Sequence, residues 1–137
     1  MLHPEGVLET ALYVADLDIA ERFYAGVLGL ERVVQVEGRH VFFRCGRGML
    51  LLFVAGETSK PPGNPAMPVP PHGATGPGHV CFRVGAEYMT EWRRQLEDKG
   101  VAIEADFRWP NGARSIYFRD PDGNSLEIAE PKLWGLE

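Results

Sequence analysis

Glu9, His79 and Glu127 are the residues of this 137-residue chain whose types and settings could do chemistry together. Each stands in a short run of alternating apolar residues, "LETALYV", "GHVCFRV" and "SLEIAE", which reads as a β-strand. Successive strand residues point to opposite faces. Leu8, Leu12 and Val14 therefore form one apolar set and leave Glu9, Ala11 and Tyr13 opposite, while Val80, Phe82 and Val84 leave His79, Cys81 and Arg83. Leu126 and Ile128 likewise leave Glu127 on the other face. A carboxylate on an otherwise apolar strand needs a partner, because an unpaired buried charge costs several kcal/mol. A divalent metal would supply one. Two carboxylates and a neutral imidazole offset a doubly charged cation, and their hard character suits Mn²⁺, Mg²⁺, Ni²⁺ or Fe²⁺, with Zn²⁺ also accommodated. Three protein ligands leave positions for water and substrate.

The same parity places Ser115, Tyr117 and Arg119 on the face of Glu127. Tyr117 could orient or protonate an oxygen at the metal, and Glu127 could serve as a base as well as a ligand. Tyr13 shares the face of Glu9 and is a candidate substrate contact. Trp109 and Arg114 flank "PNG" at the start of a strand and could grip an anionic or aromatic substrate. His72 lies in a segment that would fold as a lid and could act there as an acid, a base or an extra ligand. Cys81 is expected to fill space as a small hydrophobe.

These residues are carried by two similar series of elements. "VLETALYVAD" reads as a strand, and "LDIAERFYAGVLGLE" as a helix with Ile19, Phe23, Val27 and Leu30 on its apolar stripe. "RVVQVEG", "RHVFFRCG" and "GMLLLFVAG" follow as strands. Residues 56–78 are so rich in Pro and Gly that neither a helix nor a central strand should persist there. Beyond them come the strand "HVCFRV", the helix "EYMTEWRRQLEDKG", the strands "VAIEADFRW" and "ARSIYFRD", the turn "DPDGN" and the strand "SLEIAE". Both halves read β-α-β-β-β. Glu9 aligns with His79, and Gly48 with Gly123, with a small insertion in the second copy. That alignment sets Leu52 against Glu127. The expected organisation is one α+β domain over 1–137: module one at about 7–55, a linker or lid at 56–78, and module two at about 79–131.

Composition narrows the function. With 45% hydrophobic and 24% charged residues the chain can bury a core. A formal charge of −5 offers no broad basic surface for a phosphate backbone, so nucleic acid is not an expected partner. Cys45 and Cys81 lack CxxC spacing and suggest no disulfide framework, consistent with a reducing, cytoplasmic setting. "MLHPEGVLET" has no basic segment followed by an apolar run, and no stretch approaches the length of a membrane span, so neither export nor a membrane is expected.

"LETALYVADLDIAERFYAGVLGLE", "GPGHVCFRV" and "SIYFRDPDGNSLEIAEP" together resemble the vicinal oxygen chelate superfamily of glyoxalases, extradiol dioxygenases, fosfomycin-modifying thiol transferases and bleomycin resistance proteins. The frames "DLxxAxxFYxxxLGLE" and "YFRDPDGNxxE" carry most of that resemblance. It implies tandem βαβββ modules whose curved, mixed sheets form a partly open barrel around a metal cavity, in a homodimer. It implies metal-ligand roles for His79 and Glu127, and a small substrate held by two adjacent oxygens for isomerisation, lyase chemistry or ring-cleaving oxygenation. The alternative within the same family is a metal-free, small-molecule-binding protein of the bleomycin-resistance kind. Three departures stand out. Glu9 occupies the place of a family histidine, Leu52 that of an acidic ligand, and Ala11 that of a threonine common in phosphonate-handling members.

Overall fold

The computed structural model describes residues 1–136, arranged as two compact units, Met1–Gly76 and the residues from Pro77 onward. Unit one contains β1 (Glu9–Tyr13), α1 (Leu17–Gly26), β2 (Glu31–Val36), β3 (His40–Cys45), β4 (Gly48–Phe53) and α2 (Ala55–Thr58). Unit two contains β5 (His79–Arg83), a 3-10 turn at Ala86–Tyr88 leading into α3 (Met89–Asp98), then β6 (Ala105–Arg108), β7 (Arg114–Arg119), β8 (Ser125–Ala129) and a closing 3-10 turn at Pro131–Trp134. Each unit holds an open four-stranded mixed sheet, in the orders β1-β4-β3-β2 and β5-β8-β7-β6. In each sheet the first strand runs parallel to the last, and the remaining pairs are antiparallel. This is the α+β architecture expected from the two series of elements.

The cores follow the alternation. In unit two, Ile116 pairs with Ile128 and Phe118 with Leu126, all four essentially inaccessible to solvent. Burying side chains of this size contributes about 1.5–3 kcal/mol each. In unit one, Leu12, Val41, Phe43, Leu50 and Leu52 do the same work. The helix α1 starts where Asp16 Oδ1 accepts from the backbone N–H groups of Asp18 and Ile19, at 2.9 and 3.0 Å. Its buried stripe is Leu17, Ala20 and Tyr24, continued by Leu28, and not the expected Ile19, Phe23, Val27 and Leu30. Both stripes have helical spacing; Tyr24 decides between them, because its ring fills the space beside Phe43, with centroids 6.0 Å apart.

The Pro/Gly-rich segment also differs from expectation at its start, where α2 runs into it as a single helical turn. The first proline is Pro61, so Gly56, Glu57 and Thr58 can complete that turn before the chain loses its helical hydrogen bonds. Thr58 is buried, and its carbonyl accepts from His72 N–H at 2.9 Å, which ties residues 71–73 back to α2. No helix among the described residues is long and apolar enough to cross a membrane.

Asp106 on β6 is the ionic hub of unit two. It accepts from Arg114 Nε and Nη2 at 2.8 and 2.7 Å and from Arg93 Nη1 at 2.6 Å. Hydrogen bonds from Arg114, helped by Arg93 and opposed by burial, pull its carboxyl down from 3.8 to about 2. A group with a depressed folded pKa stabilises the fold above its unfolded value and loses that contribution as pH falls through the folded one. Asp106→Asn is therefore expected to cost on the order of 1–2 kcal/mol near neutral pH, after allowing for solvent screening. Thermal unfolding followed by circular dichroism should show the gap from wild type closing between pH 4 and 2.

Candidate active site

In unit two, β8 sits between β5 and β7, so Glu127 has Cys81 as its register partner on one side and Tyr117 on the other. The Glu127 side chain is only 5% exposed. Its Oε2 accepts from Ser115 Oγ at 2.6 Å, and Ser115 Oγ in turn accepts from the Trp109 indole N–H at 2.7 Å. One carboxylate oxygen is thus held by a buried relay, and Oε1 is turned toward His79. The ring of His79 is fixed from its other side, with Nδ1 lying 2.8 Å from the backbone carbonyl of Ser125. A carbonyl can only accept, so Nδ1 carries the hydrogen and a neutral ring keeps its lone pair on Nε2. That lone pair lies 3.4 Å from Glu127 Oε1.

Two electron-pair donors facing one another repel unless a proton or a cation lies between them. A divalent metal fits this pair: the outer atom of each donor is already committed, as metal-ligating imidazoles and carboxylates require. A separation of 3.4 Å is compatible with both atoms lying about 2.0–2.2 Å from a shared ion. Among the described residues no three His, Cys, Asp or Glu side chains gather in one such group.

The "DPDGN" turn explains why His79 is held where it is. Asp120 Oδ1 accepts from the N–H groups of Asp122 and Asn124 at 3.0 and 2.8 Å, and Asp120 Oδ2 accepts from Asn124 Nδ2 at 2.9 Å. Gly123 adopts φ +83° to close the loop, a conformation that side chains disfavour. Asn124 Oδ1 then accepts from Gly78 N–H at 2.7 Å, and Ser125 N–H donates to Gly78 O at 2.9 Å. The turn before the glutamate strand thereby anchors the residue before His79.

Other candidate residues have defined settings. Tyr117 stacks between His79 and Phe107, at centroid distances of 6.3 and 5.9 Å. Burial, followed by the Glu127 carboxylate, pushes its hydroxyl up to about 12, so it is a donor at neutral pH. The same causes push the Cys81 thiol to about 12, which leaves it without thiolate character. Arg114 is engaged with Asp106 and with Thr90 Oγ1 at 3.0 Å, and Trp109 serves Ser115. Sequence parity put Ser115 on the correct face but gave no hint of its link to Trp109, which depends on the backbone bringing the indole back over β7.

Unit one places Glu9, Tyr13 and His72 along one open groove of about 700 Å³. The Tyr13 hydroxyl and His72 Nδ1 are hydrogen-bonded at 2.7 Å. Glu9 is exposed, and it forms no ion pair among the described residues. The module alignment needs one correction. Glu9 pairs with Met49 as His79 pairs with Ser125, so the counterpart of Glu127 is Leu51, not Leu52. The turn before β8 is one residue longer than the alignment allowed, and a one-residue slip exchanges strand faces. Leu51 lines the groove, while Leu52 lies in the core. The acidic position is apolar in either register. Arg39, His40, Phe42 and Phe53, which also line the groove, were not singled out by sequence. The alternation of "RHVFF" held the available signal, since His40 and Phe42 share a face.

Paired β-α-β-β-β units, with an imidazole and a carboxylate facing one another on adjacent strands, define a class of tandem-module α+β proteins. The chain belongs to the Glyoxalase/Bleomycin resistance protein/Dioxygenase superfamily, whose family model matches residues 6–128. The crystal structure of a lactoylglutathione lyase from Agrobacterium tumefaciens is 50% identical, covers 96% of this chain and 98% of its own, and superposes with a TM-score of 0.91. The metallothiol transferase FosB of Bacillus licheniformis is 37% identical over 51 residues, which are 36% of this chain and 33% of the transferase. This chain therefore spans only about a third of that curated relative. The fosfomycin resistance protein FosX from Mesorhizobium loti shares the fold, with a TM-score of 0.65 at 20% identity over 93% of each chain.

Proposed function

We propose that this protein is a metal-dependent, glyoxalase-like enzyme that holds two adjacent oxygens of a small substrate and moves a proton at the carbon beside them. The observation that carries this reading is the His79–Glu127 pair, in which Nε2 and Oε1 face each other at 3.4 Å while Ser125 and Ser115 hold the opposite atoms. The 50% identity to a lactoylglutathione lyase favours lyase or isomerase chemistry over ring-cleaving oxygenation. His79 and Glu127 would hold the ion, with Glu9 as the third ligand, supplied within the chain or across a homodimer. Mn²⁺, Ni²⁺, Fe²⁺, Mg²⁺ and Zn²⁺ are the candidate ions. When bound, such an ion supplies Lewis-acid stabilisation of negative charge developing on a substrate oxygen.

The chain's own residues would supply the rest. Glu127, partly released from the ion, would accept the substrate proton at Oε1 while Ser115 keeps Oε2 in place, so the base moves little as its charge changes. Tyr117, protonated at neutral pH, donates a hydrogen bond toward developing charge. The test is metal content of the purified protein, followed by reconstitution with each ion and assay of lactoylglutathione formation from glutathione and methylglyoxal. About one ion per chain together with turnover supports the reading; a protein that takes up none of these ions overturns it.

A second reading, a metal-free binding protein of the bleomycin-resistance kind, is favoured by the aromatic groove of unit one and by the lack of a three-residue donor cluster among the described residues. It predicts that ligand affinity is unchanged by chelation.

A further inference from the structure

The groove of unit one is chemically polar along its length. Glu9 lies at the start of β1 and Tyr13 at its end, about 13 Å away at the rise of an extended strand. Between them the groove is lined by Ala11, Leu51, Phe42 and Phe53. Phe53 is the hub of the far end: it meets His72 edge-on at 4.6 Å, Phe42 at 5.3 Å and His40 at 5.8 Å, and Tyr13 at a tilt at 6.2 Å. His40 is buried and stacks on Phe42 at 4.1 Å with an interplanar angle of 11°. Burial, and then the neighbouring Arg39 charge, lower its pKa, so the ring is neutral and its Nδ1 accepts from Arg39 Nη1 at 2.7 Å.

That contact fixes one edge of the Arg39 guanidinium. Arg39 lines the groove, and no carboxylate among the described residues lies within ion-pairing distance of its guanidinium. A held guanidinium with free N–H groups beside apolar rings is suited to a carboxylate on a flat, apolar body. We propose that this groove binds a small aromatic carboxylate, with the carboxylate on Arg39, the ring among Phe42, Phe53 and Leu51, and the reacting oxygens toward Glu9. This deepens the proposed function and rests on its reading of Glu9 as a ligand of the ion that holds the substrate oxygens. The anion-and-ring selectivity depends on unit-one residues alone.

The experiment uses chelator-treated full-length protein, with phenylacetate, its neutral analogue phenylacetamide, and glutathione as probes, followed by isothermal titration and amide chemical-shift mapping. Phenylacetate is expected to bind at least tenfold tighter than phenylacetamide and to shift groove amides. Arg39→Met should remove that preference, and Arg39→Lys, which keeps the charge but loses the planar fork, should restore part of it. Circular dichroism confirms that both variants fold. Equal binding of acid and amide, a preference that survives Arg39→Met, or tighter groove binding by glutathione than by phenylacetate would each overturn the inference. Phenylacetate binding that persists in Glu127→Gln, when that variant holds no metal, shows the groove to be sound and the metal reading separable from it.

Discussion

Glu127→Gln is expected to bind divalent metal more than 100-fold more weakly than wild type, to lose turnover, and yet to be no less stable than wild type when both are metal-free. The opposite directions follow from the setting of the side chain. In the absence of a cation, the buried Glu127 Oε1 and His79 Nε2, 3.4 Å apart, need a proton between them to attract one another, an arrangement that favours function over stability. Glutamine keeps the volume, its carbonyl can still accept from Ser115, and its amide can donate to Nε2. Replacing a proton-dependent contact with a neutral N–H···N hydrogen bond of the same shape should leave metal-free stability at or slightly above that of wild type, by up to about 1 kcal/mol. Metal affinity, in contrast, loses one charged ligand of the proposed three, which exceeds the 10–100-fold loss typical of an outer-shell partner. Chelator competition for the affinity, and urea denaturation of metal-free protein for the stability, separate a ligand role from a packing role. A purely structural glutamate would lower stability on substitution and leave metal content alone.

Ser115→Ala should weaken metal binding by a smaller factor, about 10–100-fold, and in this case stability should fall as well. The hydroxyl does two things at once: it donates to Glu127 Oε2 at 2.6 Å and accepts from the Trp109 indole at 2.7 Å. Alanine leaves the indole N–H and one carboxylate oxygen without these partners, at a cost of about 1–3 kcal/mol for each that stays dry. It also frees the carboxylate to rotate, so Oε1 is no longer directed at His79. Trp109→Phe provides the control. It removes the indole donor but leaves the Ser115–Glu127 bond, so most of the metal affinity should survive. Equal losses of affinity in the two variants would show that the relay does not act by orienting Glu127.

Period-two alternation was enough to place His79 and Glu127 on non-core faces, because a strand alternates its faces whatever packs against it. The duplicated β-α-β-β-β order was legible for the same reason: glycines, prolines and apolar periods mark elements locally. The one-turn α2 was missed because a single turn leaves no periodic pattern. The choice of helix face depended on where Tyr24 finds room beside Phe43, which no stretch of sequence records. The register of β4 turned on one extra residue in a loop, enough to exchange Leu52 for Leu51. The partners that give the site its chemistry, Ser115 between Trp109 and Glu127, Ser125 behind His79, and His40 behind Arg39, are bonds between atoms whose separation depends on register and rotamer. Residue type and strand parity were thus determined by the sequence itself, because they are local properties of a chain. Which lone pair faces which oxygen was decided only by the tertiary structure, because hydrogen-bond geometry within about 3 Å is set by the packing of whole elements.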